Sequence, residues 1–94
     1  MAIKTLQITQ TGAAIQLSSV SQRARWIAFF NTSGHTCRIG DANVSSTVGA
    51  QLPATTGNWT VMPPESAPYG TDLSQWYTVG TASDLLDVVY DSMD

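Results

Sequence analysis

The sequence predicts an all-β protein: a single-domain β-sandwich, jelly-roll-like in its spacing, with about seven or eight short antiparallel strands. Three observations predict this. Short runs of apolar and β-branched residues recur at roughly ten-residue intervals along the chain. Clusters of Gly, Asn, Asp, Ser and Pro separate them, which are the residues turns require. The two most apolar runs, at 25–31 and 85–91, are short and rich in strand formers, so neither reads as a helix.

Taken in order, residues 3–9 form the first predicted strand, with Leu6 and Ile8 on one face. Thr11-Gly12 turns the chain into 13–17, where Ala13, Ile15 and Leu17 share a face. Residues 18–21 are a polar connection. The run at 25–31 is almost continuously apolar, which predicts a central strand covered on both faces, with Trp26 in the core. Residues 31–34 carry a Gly in a short loop and predict a hairpin into 36–39. Gly40-Asp41-Ala42-Asn43 is a turn, since Gly and Asn tolerate positive φ and Asp bonds its own backbone. Residues 44–47 fit a short strand or an extended loop, and a short strand is expected around Gln51-Leu52. Residues 54–58 form a polar loop, and the strand at 59–62 ends at Pro63-Pro64, because proline has no N–H for the ladder. After an irregular stretch at 65–73, the run 73–79 alternates with Leu73, Gln75, Tyr77 and Val79 on one face. The last strand, 85–91, sets Leu86, Val88 and Tyr90 opposite Leu85, Asp87 and Val89. The expectation is one domain over 1–94, with extended N- and C-terminal tails at 1–4 and 91–94.

The composition favours contacts over chemistry. Charged residues make up 12% of the chain, about half of the usual share, and Ser and Thr supply the polarity. Hydroxyl-rich surface can be buried against a partner without stranding ions. A chain of 94 residues buries a small core, and association with a larger surface is a common remedy. The net charge of −3 argues against nucleic-acid binding, which needs a basic stripe. Arg23 and Arg25 are the one close basic pair, and they read as ion-pair or strand-edge residues. No apolar run approaches a membrane-spanning helix, and Met1-Ala2-Ile3-Lys4 leads straight into alternating residues, so synthesis in a cytoplasm without membrane insertion is expected. Three Asn-x-Ser/Thr matches, at Asn31, Asn43 and Asn58, are discounted on the same ground.

No constellation points to catalysis, a cofactor or a metal, and the expectation is a protein that is not an enzyme. One His and one Cys cannot build a structural zinc site. His35 and Cys37 lie two apart and would share a strand face, but nothing that orients them or binds an oxyanion follows. His35 therefore reads as a loop histidine and Cys37 as a small buried thiol. Asp41, Asp72 and Asp84 read as turn caps. A cation site would need Asp41, Asp84 and Asp87 to meet in space. Trp59 and Trp76 are candidate interface anchors, or platforms for a sugar ring.

Three stretches together resemble a known group. They are Ala24-Arg25-Trp26-Ile27-Ala28-Phe29-Phe30-Asn31, then Arg38-Ile39-Gly40-Asp41-Ala42-Asn43-Val44-Ser45-Ser46, then Asp72-Leu73-Ser74-Gln75-Trp76-Tyr77-Thr78-Val79-Gly80-Thr81 with Val88-Val89-Tyr90. Their order resembles small structural proteins of tailed-bacteriophage virions, over most of the chain. The resemblance implies a capsid decoration (cement) protein, made in the host cytoplasm and located on the capsid surface. Its implied partners are the major capsid protein and itself, as a homotrimer seated at three-fold positions. A head–tail connector, a tail component, or a small carbohydrate-binding or host-adhesion module are the alternatives. The contact candidates are Ile3 and Lys4 of the first strand, Trp59, Pro63, Pro64 and Tyr69 of the long loop, and Trp76. Prolines stiffen that loop, so less entropy is lost on docking.

Overall fold

A computed structural model describes residues 2–63 and 70–94. The chain is all-β and folds as two antiparallel sheets packed face to face. The strands are β1 (Ala2–Thr9), β2 (Ile15–Gln16), β3 (Arg23–Asn31), β4 (Cys37–Gly40), β5 (Ala50–Leu52), β6 (Gly57–Val61), β7 (Thr71–Asp72), β8 (Tyr77–Val79) and β9 (Leu85–Ser92). The first sheet runs β1-β9-β3-β6, with β7 beside the start of β3, and the second runs β2-β8-β4-β5.

The core lies between the sheets. Ile27 and Phe29 of β3, Leu86 and Val88 of β9, and Ile39 and Leu52 of the second sheet are essentially inaccessible to solvent. The expected two faces of β9 are those observed, with Leu86, Val88 and Tyr90 buried inward. An aromatic cluster closes one side. Phe29 stacks on Trp59 with ring centroids 6.3 Å apart and meets Trp76 at 5.8 Å, while the two tryptophans touch edge to face at 5.9 Å.

Several expectations are corrected. The loop after β3 is not a hairpin, since β3 and β4 belong to different sheets. Buried Asn31 redirects the chain there. Its amide nitrogen donates to the carbonyls of His35, Leu52 and Pro53 at 2.8–3.1 Å, and its Oδ1 accepts from the Ser33 N–H and hydroxyl. These bonds hold the first sheet to the β5 end of the second, which a simple hairpin turn would not do. The run 73–79 is not one strand either. Leu73–Gln75 is a 3-10 turn, and only Tyr77–Val79 joins a strand ladder. Asp72 caps that turn by accepting from the Ser74 N–H at 2.9 Å, so a local polar bond overrides the alternation.

Thirdly, β3 is central but covered on its inner face alone, among the described residues. Fourthly, Trp26 is half-buried rather than core. The β3–β9 register shifts between Ala24 and Ile27, so Arg25 and Trp26 together oppose Asp91. Of the residues expected at 13–17, only Ile15 and Gln16 enter a ladder, and Ala13 is exposed. Within the segments expected as tails, residues 2–4 and 91–92 are ladder residues. Ala2 pairs with Ser92, the Met93 N–H donates to the Arg23 carbonyl, and Asp94 grips Arg23. Those donors, first the Arg23 backbone N–H and then its guanidinium, hold the Asp94 carboxyl below its ordinary pKa.

Candidate functional site

The register assigns a face to every residue of the first sheet. Phe29, Leu86, Val88 and Ile8 point inward, so their neighbours in sequence point outward. One outward row across the sheet is Thr5, Val89, Ala28 and Thr60, and the next is Gln7, Asp87, Phe30 and Asn58. Ile3, 52% exposed, stands at the end of the sheet beside Asp91, and Leu85, 39% exposed, stands at the other. Phe30, also 39% exposed, lies between β9 and β6. No described element covers this face, which joins apolar side chains to uncharged Thr and Asn.

Charge sits in two places on it. Asp87 accepts from the Gln7 amide at 2.9 Å. Asp91 is 1% exposed and lies under the bulge, where its Oδ1 accepts from the Ala2 N–H and its Oδ2 is 3.7 Å from the Arg25 guanidinium. The face thus sets exposed Phe30, half-buried Val89 and buried Ala28 around Asp87, whose carboxylate is held by Gln7, with uncharged Thr and Asn beside them.

The edge of the same sheet is likewise unpaired among the described residues. β1 is eight residues long and pairs with β9 on one side. It holds no Pro, Gly or bulge and one charged residue, Lys4, so it lacks most of the usual devices that discourage strand addition. The other edge strands have two to five residues.

The predicted contact residues do not form one patch. Ile3 and Lys4 lie on β1, across β9 and β3 from Trp59 on β6. Trp59 is 40% exposed, but its ring faces the core side against Phe29 and Trp76. Trp76 is half-buried, and its indole N–H donates to the Thr71 hydroxyl at 2.9 Å. The two tryptophans therefore pack in one cluster with Phe29, with Trp59 the more exposed of the pair. Pro63 is half-buried just past β6, while Pro64 and Tyr69 lie outside the described residues. The outward residues Ala28, Phe30, Leu85 and Val89 were not singled out from the sequence. Their signal was the apolar doublets Phe29-Phe30, Leu85-Leu86 and Val88-Val89, which in strands must place apolar groups on both faces.

The remaining chemistry-bearing residues are dispersed. His35 is exposed and its Nδ1 lies 2.8 Å from Asp84, so it faces that carboxylate rather than Cys37. Cys37 is buried. Burial, and secondarily the Asp84 charge, push its thiol up to about 11, so it stays neutral and unreactive. Asp41 caps the Asn43 N–H at 2.9 Å, while Asp84 faces His35 and Asp87 accepts from Gln7. Among the described residues no group of three or more His, Cys, Asp or Glu could hold a metal ion. An open cleft of about 420 Å³ lies where Gln16, Asp41, Asn43, Ser74, Gln75 and Tyr77 meet, and its lining is polar.

No protein-family model matches the chain, and neither a curated protein nor a solved structure does.

Proposed function

We propose that this protein is a structural component of a tailed-phage virion that docks on the capsid surface and cements neighbouring major capsid proteins. The observation that carries the reading is the outward face of the first sheet. Both of its central strands, β3 and β9, present apolar side chains outward as well as inward. A face of that kind on a small domain marks a protein contact. The low content of charge supports it, and the virion setting comes from the order of motifs in the sequence. Repetition on a symmetric shell turns modest contacts into strong attachment.

The test is the protein content of purified particles from the encoding phage. Decoration requires on the order of hundreds of copies per particle, whereas about six or twelve would move the protein to a connector or tail ring. Absence from the particle refutes the virion reading. Phe30→Lys places a charge at the centre of the outward face and should abolish attachment to shells while leaving the fold intact. Attachment that survives it would remove this face from the proposal.

The polar cleft beside Tyr77 favours a second reading, a carbohydrate-binding module. Amides, hydroxyls and one carboxylate around an aromatic ring are the groups that bind neutral sugars. Chemical-shift changes at Asn43 and Tyr77 on titration with neutral oligosaccharides would support it.

A further inference from the structure

We infer that two copies of this chain join edge to edge through β1, around a two-fold axis at Leu6, to make one continuous sheet. The inference begins with the backbone. The Gln10 N–H donates to the Asp84 carbonyl at 2.8 Å, so at the end of β1 the even-numbered residue bonds toward β9. Antiparallel ladders alternate, so Ile3, Thr5, Gln7 and Thr9 turn their N–H and C=O groups outward, away from β9. Among the described residues, these groups have no strand beside them in the sheet order.

The same alternation restricts how a copy can add. A two-fold axis perpendicular to the sheet keeps inner faces on one side, so odd residues must oppose odd and even must oppose even. Centring on Leu6 satisfies this and sets Ile3 opposite Thr9 of the copy and Thr5 opposite Gln7. Each of the four outward-facing residues then exchanges both of its bonds, and 3–9 overlaps completely. Lys4 faces Ile8 of the copy, so its charge meets no like charge. Centring on Lys4 would oppose the two ammonium groups and shorten the overlap.

The side chains agree with that register. Leu6 is half-buried at the rim of the core and would meet its own copy on the inner face, sealing the open side of both sandwiches. Ile3, the most exposed apolar residue of β1, gains a neighbour across the seam. The two outward faces also merge into one surface of twice the width. This contact takes the place of the three-fold association that the family resemblance implies, and it does not depend on the virion reading.

The experiment is the solution mass of the purified protein by light scattering, across a dilution series, with three variants. Wild type is expected at two chains. Thr5→Pro removes an outward N–H without touching the β9 ladder and should reduce the mass to one chain. Thr60→Pro, on the opposite edge of the sheet, should leave two. Leu6→Cys should form a covalent pair on mild oxidation, because non-hydrogen-bonded opposite residues approach closely and Cys37 is buried. A wild-type mass of one or three chains overturns the inference, as does a two-chain mass that survives Thr5→Pro. If Thr5→Pro fails to fold, the Leu6→Cys link decides: its absence overturns the two-fold contact.

Discussion

Replacing Asp72 with Ala should cost more stability than any other exposed or half-buried carboxylate substitution among the described residues. Asp72 accepts from four donors: the Ser21 hydroxyl, the Gln22 N–H at 3.0 Å, and the Ser74 N–H and hydroxyl at 2.9 and 2.8 Å. It thereby ties the strand entry at β3 to the 3-10 turn that leads into β8. On truncation the two hydroxyls turn to water and contribute little. The two backbone N–H groups are partly buried and lose a charged acceptor, at about 1–3 kcal/mol each. Solvent access discounts the upper end, which gives about 3 kcal/mol. A chain of 94 residues has about 5–14 kcal/mol in total, so the melting temperature should fall by about 12–24 °C.

The same bonds set a pH dependence. The Ser21 hydroxyl above all holds the Asp72 carboxyl well below the ordinary carboxylate range; burial pulls the other way, and the Gln22 and Ser74 donors add to the lowering. A carboxyl depressed in the folded state contributes stability above its unfolded pKa of about 3.9 and loses it as the pH falls toward the folded value. The difference between wild type and Asp72→Ala should thus be full at pH 7 and shrink progressively below about pH 4. Urea unfolding followed by Trp fluorescence measures it. A difference under about 0.5 kcal/mol at pH 7, or one that is constant down to acid, would refute the reasoning.

Two further outcomes follow from the two faces of the sheet and the buried thiol. Phe29→Ala should cost about 3–5 kcal/mol, because it empties the centre of the Phe29–Trp59–Trp76 cluster, whereas Phe30→Ala, one residue on, should cost under about 1 kcal/mol. Equal losses in chemical denaturation would mean that the outward face is covered. Cys37, with its thiol pushed up to about 11 by burial, should resist a thiol reagent at pH 8 in the native state and react at once in urea. Rapid labelling of the folded protein would show that the core opens there.

The parts of this fold legible in the sequence are those that strand geometry fixes locally. Alternation identified β9 and separated its two faces, because the period of two depends on nothing outside the strand, while which face is buried came from the packing of the sheets. Gly-, Asn- and Asp-rich clusters marked the turns for the same reason. Strand partners were beyond that reading. Whether the chain after Asn31 folds back as a hairpin or crosses to the other sheet depends on carbonyls of Leu52 and Pro53, distant in sequence. The fate of 73–79 turned on Asp72, whose bonds to Ser74 compete with a strand and whose bonds to Ser21 and Gln22 exist only once β3 is in place. The outward apolar face lay half in view. The doublets Phe29-Phe30 and Val88-Val89 record that both faces of the central strands are apolar. The sequence by itself determined that these strands would form and which side chains could be buried. Only the tertiary structure decided that one face closes on the second sheet while no described element covers the other, because sheet packing is a non-local choice that strand periodicity cannot encode.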